Sequence, residues 1–199
     1  MPKQVPAAQI LNAALEVIAD RGYSGATTRQ IAAAAGVNEV TLFRRYGSKI
    51  GLLKAAMARD AERFSQQGGV SYTGDVQADL ERATVLYGEL INRRSALMPV
   101  LTSECRHHPE LLEVIQVVHG ILFSIGGLLT RYQEEGVLRP EPALQAVATL
   151  LGPMLALGLL AGFETGMPAP PPLDPAEYVR RYLDGRRVAA DSALTAAPL

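Results

Sequence analysis

The chain has 199 residues and a formal charge of −1; 48% of its residues are hydrophobic, only 6% are aromatic, and Trp is absent. This length allows one or two domains with a sizeable core, and a lone cysteine, Cys105, excludes an intrachain disulfide. The charge is uneven: residues 1–54 hold seven Lys/Arg and three Asp/Glu, the remainder twelve and seventeen, so only the N-terminal part suits a polyanion. Ala and Leu dominate and alternating β-branched runs are missing, which predicts an all-α chain.

Residues 1–5 read as a loose arm. A first helix is predicted from about Pro6 to Arg21, with Ile10, Leu11, Ala14, Leu15 and Ile18 as one stripe and Gly22 as its stop. The N-terminus lacks the continuous apolar core of a signal peptide, and with one cysteine this points to the cytoplasm. Thr27 to Lys49, TTRQIAAAAGVNEVTLFRRYGSK, reads as two short helices about a tight turn. Thr27 and Gln30 have capping-box spacing, Gly36 supplies the reversal, and Asn38 caps the next helix, Glu39 to Tyr46. Leu42 and Tyr46 share its inward face, which leaves polar and cationic groups outside. This is helix-turn-helix spacing.

Ser48 caps a fourth helix, Lys49 to about Gln66, whose first turn offers an anion site. A Gly/Ser/Tyr loop follows, then a helix from Asp75 to about Arg94. A short helix from Ser95 to Cys105 comes next, and a long one runs from His108-Pro109 to Glu135-Gly136. Pro142 opens a further helix to about Phe163, kinked or split at Gly152-Pro153. Pro168 to Pro172 is an extended link, and Asp174-Pro175-Ala176-Glu177 opens a last helix with Val179, Tyr182 and Leu183 on one face. Residues from about Ala190 onward read as frayed.

Ala26 to Leu53 resembles the DNA-binding domain of tetracycline-repressor-type (TetR/AcrR-like) transcriptional regulators. The residues that carry the likeness are Thr27 or Thr28, Ile31-Ala32, Ala35-Gly36-Val37, Thr41-Leu42-Phe43, Tyr46 and Ser48-Lys49. The resemblance implies an N-terminal three-helix DNA-binding domain, residues 1–54. It also implies a larger helical effector-binding and dimerisation domain, residues 55–199, giving about nine helices in all. It implies DNA contacts from Thr28, Arg29, Asn38, Glu39, Val40, Thr41, Phe43, Arg44, Arg45 and Lys49. Phe43 stands where the family usually has Tyr, so a hydroxyl bond to phosphate is missing there. Glu39 has no phosphate partner: it accepts from a cytosine amine or repels wrong sites.

The resemblance further implies a homodimeric repressor on a palindromic operator, released by a small apolar effector. Tyr87, Glu104, Gln116, His119 and Phe123 are the candidate effector contacts. The dimer is expected through helices at about 141–163 and 174–190, with small residues such as Ala146 allowing close approach. The sequence offers no nucleophile–base pair, phosphate loop or paired carboxylates, so no enzyme activity and no cofactor is expected. Two alternatives stay open. The first is a metal- or redox-responsive regulator through Cys105, His107 and His108, which sit together, but Cys-x-His-His is not a standard zinc spacing, so no metal is assigned. Residues 143–163 are uncharged and long enough to cross a membrane, but Pro153 and the lack of cationic anchors favour a buried helix and no membrane.

Overall fold

The computed structural model describes residues 5–161 and 174–187; of 158–161 it describes the backbone alone. Nine helices occur among these residues: α1 Ala7–Gly25, α2 Thr28–Ala35, α3 Glu39–Tyr46, α4 Lys49–Gln66, α5 Val76–Arg93, α6 Leu97–Glu104, α7 Leu111–Glu134, α8 Ala143–Ala161 and α9 Pro175–Leu183. The predicted Pro168–Pro172 link and the C-terminal stretch from Ala190 lie outside the described residues.

Local chemistry sets most boundaries. Thr27 and Gln30 make both halves of a capping box, so two orphan N–H groups at the start of α2 are satisfied reciprocally. Gly36 ends α2 with φ 68° and ψ 32°, a left-handed conformation that a β-carbon disfavours. Asn38, Ser48, Asp75 and Asp174 cap α3, α4, α5 and α9 with their side chains. Gly22 departs from helical geometry inside α1, with φ 73° and ψ 165°, and the chain takes a last turn before Ala26.

Two apolar cores form. The first takes Ile10, Leu11, Ala14, Leu15 and Ile18 of α1, Ile31 and Ala35 of α2, Leu42 of α3, and Leu52, Leu53, Ala56 and Met57 of α4. It also takes Leu97 and Leu101 of α6 and Leu111 and Val114 of α7. The second gathers Phe64 of α4, Leu80 and Tyr87 of α5, Ile125 and Leu129 of α7, Leu150 of α8 and Val179 of α9. Residues 1–54 are therefore not packed by themselves: α6 and the first turns of α7 close their core, while α4 and α7 run through both cores.

Two expectations about the C-terminal helices need correction. Val179, Tyr182 and Leu183 are buried in their own chain, where α9 packs on α5 and α8. Ala146 is likewise fully buried inside the second core. These four residues are consumed by intrachain packing, whereas Leu144, Ala148 and Ala156 of α8 stay exposed. α9 also stops at Leu183, well short of 190, after which Arg139 N donates to Arg186 O at 2.8 Å and ties the end of α9 to the segment before α8. α8 contains Pro153 without being divided. α7 is the described helix whose length and apolarity would suit a membrane span, but Val114, Ile121, Ile125 and Leu129 commit it to the two cores.

Candidate nucleic-acid interface

α2, the Gly36 turn and α3 present one continuous outer surface. Leu42 is buried and anchors α3 against Ile31 and Ala35. Helical spacing then turns Val40, Phe43, Arg44 and Arg45 outward, and all four are exposed. Val40 is 71% exposed and Phe43 48%, which is unusual for apolar side chains on a well-packed helix unless that surface meets something. Asn38 Oδ1 accepts from Val40 N at 2.8 Å, so the cap uses its oxygen and leaves its amide N–H groups for a base or phosphate. Arg45 reaches Val5 O at 3.3 Å with its guanidinium 5.9 Å from the Tyr46 ring centre, loose contacts that a phosphate would displace. Arg29 is exposed at the start of α2, and Thr41 is half-buried on the flank of α3. Thr28 Oγ1 donates to Glu39 Oε1 at 2.5 Å, joining the first turns of α2 and α3.

Lys49 is placed differently from expectation. Its ammonium donates to Tyr23 O and, at 2.8 Å, to Ala26 O, and lies 4.2 Å from the centre of the Tyr23 ring. The carbonyls at the end of α1 have lost their helical partners, and Lys49 supplies them. Burial lowers its pKa, partly offset by Glu104 and Glu110. Lys49 thus clamps the α1–α2 junction.

The five candidate effector residues do not form one site. Tyr87 is buried in the second core, and burial pushes its hydroxyl up to about 12. Gln116, His119 and Phe123 lie on the outer face of α7, and Phe123 is 76% exposed. The inward positions of α7 are Val114, Ile121, Ile125 and Leu128, and a two-residue offset on a helix points the opposite way.

Glu104 does something the sequence did not show. Its Oε1 accepts from Tyr23 N at 2.7 Å, and its Oε2 from Ser24 N at 2.8 Å and Ser24 Oγ at 2.5 Å. His108 Nε2 sits 2.8 Å from Ser24 Oγ, its Nδ1 lies 3.3 Å from Glu110, and its ring meets Tyr23 edge-on. The end of α6 therefore clasps the turn that leads into α2. Gly22 makes room for it: a β-carbon there would stand 2.6 Å from Glu104 Oε1. His108 belongs to this clasp, His107 is exposed, and Cys105 Sγ lies 3.3 Å from Thr102 O. Among the described residues no three His, Cys, Asp or Glu side chains converge on a metal position.

Burial alone would raise the Glu104 pKa, but the bonds from Ser24 and Tyr23 and the neighbouring His108 outweigh it and leave it lowered. The stability this gives is present above the ordinary carboxylate range and is lost as pH falls through the lowered value. Glu104→Gln is expected to cost about 1–3 kcal/mol at pH 7 and to remove this part of the acid sensitivity. Urea melts of both proteins between pH 3 and 7 check it; parallel pH profiles would contradict it.

With this geometry in place, the comparisons with known proteins fall on the same segment. Residues 10–56 match the family model for bacterial regulatory proteins, tetR family. This segment is a tetR-family DNA-binding domain. The chain is 34% identical over 92 residues to the HTH-type transcriptional regulator YvkB of Bacillus subtilis, a match that spans 45% of this chain and 47% of YvkB. It is 26% identical over 163 residues to the HTH-type transcriptional repressor AcnR of Corynebacterium glutamicum, covering 79% of this chain and 81% of AcnR. Its fold is that of FadR from Bacillus subtilis, solved in complex with stearoyl-CoA. The TM-score is 0.70 at 19% identity, over 90% of this chain and 96% of FadR. The matched residues run from α1 through the helix-turn-helix of α2 and α3 into α4.

Proposed function

We propose that this chain is a cytoplasmic, homodimeric tetR-family repressor that leaves a palindromic operator when a small apolar effector binds. The observation that carries the dimer is an exposed apolar face. Gly126 of α7 packs against Ala143 and Val147 of α8. Phe123 and Gly127 on α7 and Leu144 and Ala148 on α8 lie beside that seam, on one outer side of the antiparallel pair, and all four are exposed. Phe123 and Leu144 are each 76% exposed, although both are large and apolar. Two such helix pairs facing one another across a two-fold axis bury this face, and the same symmetry presents two α3 helices to successive major grooves about 34 Å apart.

The effector reading rests on Tyr87. Its side chain is 2% exposed, in the core that α5, α7 and α8 share. An apolar ligand entering between α5, α7 and α8 would pair with the Tyr87 hydroxyl and displace apolar side chains, and the stearoyl-CoA complex of FadR supports an apolar class. Motion of α6 would reach α2 through the Glu104 clasp. An effector works only through differential affinity, so its Kd must be weaker with operator bound than without; equal Kd values contradict the switch. For the dimer, Phe123→Glu and Leu144→Glu are each expected to give monomers in sedimentation equilibrium, with binding to a palindromic duplex lost and helix content kept. A persisting dimer overturns the interface.

A further inference from the structure

We propose that Glu39 reads the exocyclic amine of a cytosine in each operator half-site and that Thr28 is its positioning residue. The proposal rests on the reading of α3 as the helix that enters the major groove. Glu39 is the first residue of α3, half-buried, at the corner nearest α2. Thr28 Oγ1 donates to its Oε1 at 2.5 Å, which fixes the carboxylate plane and leaves Oε2 with no donor from this bond. No Lys or Arg pairs with Glu39 among the described residues. A carboxylate without a cation, brought against a polyanion, is repelled unless it meets a donor. The surface around it is made for base edges: Val40 projects methyl groups beside it, and Asn38 has committed its oxygen to the cap.

The donor can be named from the groove chemistry. An ionised carboxylate only accepts. Guanine presents N7 and O6 there and thymine O4, all acceptors that repel it. Adenine offers N6–H but sets the N7 acceptor alongside, so a carboxylate gains one bond and faces one repulsion. Cytosine offers N4–H with no acceptor of its own beside it, and is the base a carboxylate selects. Thr28 adds selectivity without touching DNA: a Glu with a free rotor would swing toward solvent, whereas a held one presents Oε2 at one register. An acceptor fixed beside α3 also raises the cost of every other base at that position.

The test is selection of bound sequences from a random duplex pool by the wild type, Glu39→Gln, Thr28→Val and Thr28→Ser. The wild type is expected to return cytosine at one symmetric position of each half-site, preferred about 5- to 100-fold. Glu39→Gln keeps the size and the Thr28 contact but can both donate and accept, so that position alone is expected to move to adenine. Thr28→Val weakens the cytosine preference at that position without changing the others, and Thr28→Ser restores it. As a check that leaves the protein intact, a 2-pyrimidinone nucleoside, which lacks the amine, replaces the cytosine and is expected to cost wild-type affinity by a similar factor. An unchanged consensus with Glu39→Gln, or no loss with 2-pyrimidinone, overturns the proposal and leaves Thr28–Glu39 as a staple between two helices. No consensus from the wild type overturns the DNA-binding surface itself, and this inference with it.

Discussion

Asp79→Ala is expected to lower the unfolding free energy by about 3–5 kcal/mol. Asp79 is 1% exposed near the start of α5. Its carboxylate accepts from Tyr132 Oη at 2.5 Å, Thr73 N at 2.7 Å, Thr73 Oγ1 at 2.7 Å and Arg82 Nη1 at 3.2 Å. One side chain thus holds the 67–75 loop, α5 and the end of α7 together. Removing it strands the buried Tyr132 hydroxyl and leaves a cavity, whereas Thr73 and Arg82 are exposed enough to turn to water. Tyr132→Phe removes a single bond and should cost about 1–2 kcal/mol, because Asp79 keeps three donors. The difference between the two variants identifies the network rather than the cavity as the source of the loss. Thermal melts should show Asp79→Ala down by on the order of 10 °C; a shift no larger than that of Tyr132→Phe would contradict the account.

The network also fixes a pH dependence. Burial pushes the Asp79 pKa up, but the hydrogen bonds from Tyr132 and Thr73 and the Arg82 guanidinium win, and it stands below its ordinary value. Its contribution is complete above the unfolded-state pKa and fades as pH falls through the lowered folded value. Asp79 and Glu104 therefore act in the same direction, and acid should loosen the 67–75 loop and the α1–α2 turn together.

Arg44→Ala/Arg45→Ala is expected to cut operator affinity on the order of a thousandfold while leaving stability within about 0.5 kcal/mol. Both arginines are exposed on α3, and neither contributes to a core. Each phosphate contact contributes about 0.9 to the slope of log affinity against log salt. Two arginines in each of two protomers make four contacts, so the slope should fall by about 3 to 4. Fluorescence anisotropy at several salt concentrations reads both quantities, and chemical denaturation reads the stability. An unchanged slope would place α3 away from the phosphates.

What was legible in the sequence was local. The capping box of Thr27 and Gln30, the Gly36 turn and the caps at Asn38, Ser48, Asp75 and Asp174 act within a few residues of themselves, and they set helix boundaries that the structure reproduces. What escaped was long-range. Ser48-Lys49 at a helix start reads as an anion site, but the carbonyls that claim Lys49 lie 23 and 26 residues away. Glu104 reaches Tyr23 across 81 residues, and no spacing rule connects a helix end to a turn so distant. α7 is apolar nearly all round, so its sequence did not say which face is buried within the chain and which is open. Gln116, His119 and Phe123 fell on the open one. Val179, Tyr182 and Leu183 misled in the converse way: a clear apolar stripe on a terminal helix served the chain's own core.

The central claim is that the α2–α3 surface of a two-fold dimer binds a palindromic duplex. The measurement that tests it most directly is a titration of the purified wild-type protein against two fluorescent duplexes, the palindrome recovered by selection and a shuffled sequence of equal composition, across a range of salt. The account predicts two protomers per palindrome, a steep salt slope on both duplexes, and an affinity for the palindrome at least a thousandfold higher. Equal affinities for the two duplexes, or one protomer bound without any dependence on salt, would contradict it.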